Sequence, residues 1–413
     1  MTVNREFSLG WKVLLASMVG VMCGAAPLPY NTIGFFMGPL NAEFNWSFGE
    51  MGLGVTIFGI TASLMAPVIG WLIDRYGVRP VALYSLIAFG LSFAAFAFTP
   101  ASLIGFYGLW LVMGLVSIGS TPVSWTRAIN LWFFKSRGLA LGLTLIGTSL
   151  AAVFLPKLTV TLIDSYGWRI AYPGLALLPL GLALPLAFFL FREPKDDEKP
   201  KEILGSQAGH LSGVALAPAM KDMRFWIIFA SIFAVALAYG GAHIHLPQIL
   251  GQLGFERGDA AIIMGSLGIA IFAGRLITGF LFDHFHAPLV ALPILSLPAI
   301  ACWMLAGNDI SSTQAFISVM LFGLAAGAEM DVIAYLAGRY FGMAHYGKIY
   351  GMLYMPFGIA ASISPALYGW VRDTYGSYDL MLQAAMVLFL FGAFILLALG
   401  RYPDFSKESV TAG

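Results

Sequence analysis

Five ionisable side chains, Arg127, Lys157, Arg275, Glu329 and Asp331, lie inside long apolar stretches of this 413-residue sequence. A charge held in hydrocarbon costs ~2.5 to 3.5 kcal/mol or more, so each needs a partner, a water-filled cavity or a function. The guanidinium of Arg275 stays charged and presents a planar fork that matches a carboxylate. A buried carboxylate such as Glu329 or Asp331 can load and release a proton at physiological pH, unless a nearby arginine holds it ionised. Spaced by two, these carboxylates lie about 200° apart around a helix and cannot both face one partner. The set therefore offers anion binding and proton carriage. The structural alternative is a salt bridge from Arg275 to Glu329 or Asp331.

A second tier of candidates surrounds these charges. Lys157 follows Pro156 and either faces inward or snorkels outward. His243 is a candidate proton relay, with an ordinary hydrogen-bonded histidine as the alternative. His243 and His245 point to different faces, and no cysteine or carboxylate completes a set with them, so a zinc site is not expected. In PLPYNTIG, Pro27 and Pro29 free backbone carbonyls, and Tyr30 and Asn31 can bond a carboxylate or hydroxyl; packing around a kink is the other reading. Thr121, Ser124 and Trp125 are further candidates for lining a cavity. No GxxxxGK[ST] phosphate loop and no recognisable nucleophile motif is present. Neither an enzymatic activity nor a cofactor is therefore expected, and the energy source is an ion or substrate gradient.

The elements that must position these groups follow from composition. Apolar residues make up 59% of the chain and charged residues 10%, with a mean hydropathy of +0.84. Twelve apolar stretches, near residues 11–37, 49–72, 79–98, 103–130, 138–160, 169–191, 223–249, 259–281, 288–306, 312–338, 345–368 and 379–400, each exceed the ~17 to 20 residues of a bilayer-spanning helix. Barrel strands would be half as long and strictly alternating. The expectation is an all-α integral membrane protein with twelve transmembrane helices, here called spans one to twelve.

An internal repeat organises them. Gly59, Gly70 and Asp74 recur 209 residues later as Gly268, Gly279 and Asp283, and the same offset carries Gly142, Pro156, Asp164, Tyr166 and Gly167 onto Gly351, Pro365, Asp373, Tyr375 and Gly376. Two parallel copies in a hydrophobic chain are the signature of carriers whose halves rock about a central site. Two pseudo-symmetric six-helix bundles are expected, residues 1–191 and 223–413, the second with a short cytoplasmic tail. Residues 192–222, containing REPKDDEKPKE and GSQAGHLSG, read as a cytoplasmic linker. Of the 22 basic residues, three lie within spans, sixteen fall in the proposed inner segments, and only Arg169, Arg257 and Arg372 fall in outer loops. That asymmetry puts both termini in the cytoplasm. The net charge of +1 gives no reason to expect nucleic acid. Cys23 and Cys302 sit in apolar spans and suggest no disulfide, and the first apolar run reads as span one, not a removable signal.

The segment GWLIDRYGVRP, residues 70–80, resembles the loop signature between helices two and three of the major facilitator superfamily, and GFLFDHFHAP, residues 279–288, resembles its degraded second copy. That resemblance covers nearly the whole chain. It implies a gating role for Asp74, Arg75, Arg79 and Asp283, with the glycines allowing spans two and eleven to pack closely. Asp74 is expected at a helix N-terminus across the gate, and the two arginines are expected to pair with acidic groups. His284 and His286 replace the basic and glycine positions in the second copy.

A narrower resemblance rests on LWFFKSRGLALGLTLIGTSLAAVFLP, residues 131–156, YGWR at 166–169, AEMDVIAYLAGRYFG, GKIYG and DTYGSY. These are similar to bacterial members of the monocarboxylate porter branch, which includes proton-linked lactate and pyruvate carriers and the oxalate:formate antiporter. Gly274, Arg275 and Gly279 match the setting in which that branch binds a substrate carboxylate. Phe357 stands where the oxalate antiporter has a second cation, which favours a monoanion unless Arg127 or Lys157 supplies the charge. Asp331 lies at nearly the depth of Arg127 in the other copy, so the two form either a pair that switches with conformation or a permanent one.

The resemblance implies a secondary active transporter of small organic anions, coupled to protons and working by rocker-switch alternating access. Its substrate contacts would be Arg275, Tyr30, Asn31, Arg127 and Lys157, and its proton carriers Asp331, Glu329 and His243. The expected setting is the bilayer of a bacterial inner membrane, as a monomer. A proton-driven exporter of amphiphiles, an exchanger of dicarboxylates or aromatic acids, and a non-transporting sensor on the same fold are the alternatives.

Overall fold

The computed structural model describes residues 3–133, 136–194, 213–307, 310–342 and 345–403. The described chain is all-α: it has no strand, and only an isolated bridge joins Gly213 to Gly342. Ten helical stretches are long and apolar enough to cross a bilayer. Leu103–Val116 is a shorter apolar helix, and Tyr346–Tyr375 is a 30-residue helix with tyrosines, serines and prolines along it. With these two, the twelve expected spans are accounted for. Contacts divide the chain into two compact units, Met1–Gln207 with Glu256–Gly268, and Ala208–Phe255 with Ile269–Gly413.

In the first unit, two spans expected to be continuous are broken. Span one runs as Val3–Met22 and Pro27–Phe44, and span four as Leu103–Val116, a short 3-10 turn at Ile118–Ser120, and Pro122–Trp132. Prolines at the start of each second half lack the N–H that a continuous helix would use, and a proline is well placed in the first turn of a new helix. The breaks meet. Ser120 Oγ accepts from the Ala25 amide at 3.3 Å, and the Ser120 carbonyl accepts from Trp125 Nε1 at 3.0 Å. A Cβ at Gly24 would collide with that same carbonyl, and one at Gly20 with the Trp125 indole. Broken backbone is tolerated at membrane depth because these groups satisfy one another inside protein.

Acidic side chains tie distant helix starts together in this unit. Glu6, buried near the N-terminus, accepts from the Ser136 amide at 3.0 Å and the Ser136 hydroxyl at 2.6 Å, capping the Arg137–Tyr166 helix. The amide bond satisfies a donor that a helix N-terminus leaves orphaned, and the carboxylate's charge suits that end of the helix.

The second unit is held by a polar zipper between span seven, Met223–Gln252, and span eleven, Tyr346–Tyr375. Ser364 Oγ accepts from the Gly241 amide at 2.7 Å and donates to the Leu237 carbonyl, and Tyr368 donates to the Ala238 carbonyl at 2.7 Å. Gly241 permits this approach, since a Cβ there would run into the Tyr368 ring. His245 is wholly buried; its Nε2 meets the Pro365 carbonyl at 2.8 Å and its Nδ1 the Tyr378 hydroxyl at 2.9 Å. A carbonyl only accepts, so Nε2 carries the proton and the neutral ring's Nδ1 accepts from Tyr378. Spans nine, Ala287–Leu305, ten, Ser312–Phe341, and twelve, Asp379–Ile395, complete the unit with the part of span eight, Arg257–His284, that follows Gly268.

Removing the Tyr378 hydroxyl strands a buried acceptor, which costs ~1 to 3 kcal/mol. Tyr378→Phe is therefore expected to lower the Tm of the detergent-purified protein, measured by tryptophan fluorescence, while Tyr375→Phe on an exposed ring leaves it unchanged. Equal Tm values for the two variants would show that the His245 clamp contributes nothing to stability.

Candidate functional site

Arg275 owes its position to two glycines. Spans eight and ten cross where a Cβ on Gly274 would meet the Leu324 backbone and a Cβ on Gly327 would meet the Ile271 carbonyl and the Arg275 amide. Backbone lies against backbone there, a closeness only glycine allows. The guanidinium thus projects from a fixed stretch of helix, eight residues before Asp283 and about 12 Å from that end at the rise of an α-helix.

Span ten presents its two carboxylates to different neighbours. Asp331 interacts electrostatically with Arg275 and with Tyr350 of span eleven. Glu329, 6% exposed, interacts instead with Tyr239 of span seven, whose ring stacks on His243 at 5.5 Å between centroids. The division follows from the angular offset of residues two apart on a helix. Among the described residues Arg275 and Asp331 attract without forming a direct ion pair. Arg275 Nε, Thr278 Oγ1 and Glu329 Oε1 are buried and have no hydrogen-bond partner. Buried polar atoms are nearly always paired, so three orphans on two crossing helices mark unspent binding capacity.

The structure thus brings Arg275, Asp331, Glu329 and His243 into one unit. Tyr30, Asn31, Arg127 and Lys157 belong to the other. Tyr30 packs on Phe58 at 5.9 Å. Asn31 is buried and donates from Nδ2 to the Pro27 carbonyl at 2.8 Å, so part of its amide serves the broken helix. Arg127 and Lys157 are exposed on their helices. Tyr350 was not among the residues expected from the sequence; its signal is the run of aromatic residues at helical spacing in YGKIYGMLYMPFG, residues 346–358.

The gate signature is held differently from the expected acid pairing. Arg79 donates to the Phe188 carbonyl at 2.6 Å and lies over the Phe188 ring. Arg75 lies over Trp71 and Tyr76 at 5.4 and 5.5 Å. The acid that serves this loop is Glu193, whose Oε1 accepts from the Val78 amide at 2.6 Å where span three begins. A residue assigned to the linker is thereby part of the fold, as is Arg192, which lies over Trp132 and accepts from its indole. The side chains of Asp74 and Asp283 lie outside the described residues, as do residues 195–212 of the linker. Cys23 and Cys302 are buried and free, and no described cluster of His, Cys, Asp or Glu could hold a metal ion.

The profile of the Major Facilitator Superfamily matches residues 14–365. Monocarboxylate transporter 13 of Bos taurus is 25% identical, covering 97% of this chain and 91% of its own length. A protein of Cupriavidus necator named "Probable sulfoacetate transporter SauU" is 24% identical, covering 91% of each. Among solved structures, a bacterial homolog of the human lysosomal transporter Spinster superposes with a TM-score of 0.71 at 16% identity, over 97% of this chain and 98% of that one. Identity that low bears on the fold alone.

Gly327→Ala is expected to overpack the crossing beneath Arg275, at a cost of ~1 to 3 kcal/mol, and to lower the Tm. Gly279→Ala on the same span faces open space and is expected to leave the Tm level or raise it, since glycine weakens a helix interior. A harmless Gly327→Ala would show that the two backbones do not touch.

Proposed function

The chain belongs to the Major Facilitator Superfamily, and from that premise we propose that it carries small organic monoanions across the membrane, coupled to protons and anchored at Arg275. It is a multi-pass membrane transporter and not an enzyme. The observation that carries the anion reading is the Arg275 guanidinium, deep in span eight, with an unpartnered buried Nε and with Asp331 nearby but not bonded to it. A purely structural arginine would spend its fork on a carboxylate of the protein. Relatives named for monocarboxylates and for sulfoacetate point the same way.

Coupling follows from charge balance. An arriving carboxylate takes up the charge of Arg275 and leaves Asp331 without its counter-charge. An uncompensated buried charge is costly, and a proton on Asp331 removes it. Anion and proton therefore load together, and the neutralised site is cheaper to enclose while alternating access moves it between the two sides. Glu329, beside Tyr239 and His243, is the second proton carrier in this scheme. Tyr30 remains the leading proposed contact of the first unit; Asn31, partly spent on Pro27, and the exposed Arg127 and Lys157 carry less weight. Asp74, Arg75, Arg79 and Asp283 keep their proposed part in gating. The basic-residue asymmetry supports both termini in the cytoplasm; a bacterial inner membrane and a monomeric working form complete the proposal.

Proteoliposomes containing the protein are expected to take up a radiolabelled monocarboxylate faster under an inward proton gradient. Arg275→Ala is expected to cut that uptake roughly a hundredfold, equivalent to ~3 kcal/mol for a charged hydrogen bond, without loss of fold. Normal uptake by that variant would remove Arg275 from the site. Asp331→Asn is expected to retain counterflow but lose gradient-driven accumulation. Flux only against a preloaded internal anion would replace symport with exchange, and no carboxylate flux at all would turn the assignment to export of amphiphiles.

A further inference from the structure

Span eleven carries a continuous aromatic track on one side. Tyr346, Tyr350, Tyr354 and Phe357 follow one another with ring centroids 5.6, 6.0 and 5.2 Å apart. At 1.5 Å rise per residue, the four rings cover about 16 Å of helix. At the same level the helix buries an adjoining strip, where Ile349, Leu353 and Ala360 are inaccessible. The track itself is open: Tyr346, Tyr350 and Phe357 are half-buried and Tyr354 is 39% exposed. The aromatic cluster of the first unit differs in this respect, because Phe93, Phe96, Phe106, Trp110 and Tyr172 are all buried against one another.

The ring faces of Tyr350, Tyr354 and Phe357 are thus partly accessible along the helix. The track also lies against span ten beside the charged site: the Tyr346 hydroxyl donates to the Ala334 carbonyl at 3.4 Å, three residues after Asp331, and Tyr350 and Arg275 both interact electrostatically with Asp331. A planar ring laid against such rings gains offset or edge contacts, which a saturated chain of equal size does not.

We propose that the anion held at Arg275 is an aryl acid, a carboxylate joined to an aromatic ring by a short spacer, with that ring received on the Tyr350, Tyr354 and Phe357 face of span eleven. The inference rests on the anion reading of Arg275 and names its substrate class. An aliphatic monoanion satisfies the guanidinium equally but leaves the track uncovered. Selectivity therefore comes from span eleven and charge recognition from span eight.

The test is uptake into proteoliposomes of 3-phenylpropionate, 3-cyclohexylpropionate and butyrate, by the intact chain and by Tyr350→Leu and Tyr354→Leu, each checked for an unchanged Tm. The expected result is a preference for the phenyl acid over both others of about tenfold or more, the range a shaped apolar subsite supplies. In either leucine variant the ratio of phenyl to cyclohexyl uptake is expected to collapse toward unity. Equal uptake of phenyl and cyclohexyl acids by the intact chain would overturn the aromatic assignment while leaving Arg275 as an anion anchor. So would a ratio unmoved in both variants. Failure of all three acids to move, with a proton gradient present, would overturn the anion reading and this inference together.

Discussion

A charge in hydrocarbon must be compensated within reach, and the second unit is arranged around that requirement. Arg275 cannot be neutralised by giving up its proton, so its surroundings must hold it charged. Asp331 supplies attraction without closing a salt bridge, while Nε stays buried and unbonded. The guanidinium is thereby kept charged and kept available. A tight Arg275–Asp331 pair would be more stable in isolation and would leave nothing for a ligand to bind.

The same requirement applies to the backbone. At the breaks in spans one and four and at the starts of spans three and five, side chains supply partners. Asn31 and Thr32 return to carbonyls of their own helix in span one. Ser120 takes the Ala25 amide across the break in span four. Glu6 and Glu193 meet the first donors of spans five and three. Irregular backbone is costly in a bilayer unless it is enclosed by protein, and these contacts enclose it. Glycine does complementary work where no irregularity is needed. At Gly274 and Gly327 it lets two regular helices touch, and this contact orients the arginine.

Legibility of the site follows from how local each fact is. Arg275, Glu329 and Asp331 stand out in the sequence because a charge in a long apolar run is anomalous wherever its helix goes. That Glu329 and Asp331 face different partners is also legible, from their spacing alone. Which partners they face is not, and neither is the open face of the tyrosine track, although its spacing is written in residues 346–357. The expected acid partners of Arg75 and Arg79 illustrate the limit. Charge complementarity suggested carboxylates, whereas rings and the Phe188 carbonyl were closer once the helices were packed.

By itself the sequence determined that the chain is a twelve-span helical membrane protein built on an internal repeat, and which few charges its interior must accommodate. Hydropathy and helical period are properties of contiguous residues, so they need no knowledge of the fold. Only the tertiary structure decided where spans one and four break, which acid caps which helix, and that Asp331, not Glu329, accompanies Arg275. Glu6 reaches Ser136 across 130 residues and Glu193 reaches Val78 across 115. Such pairings depend on the rotation and crossing of packed helices, which are set by contacts between glycines and backbone far apart in the chain.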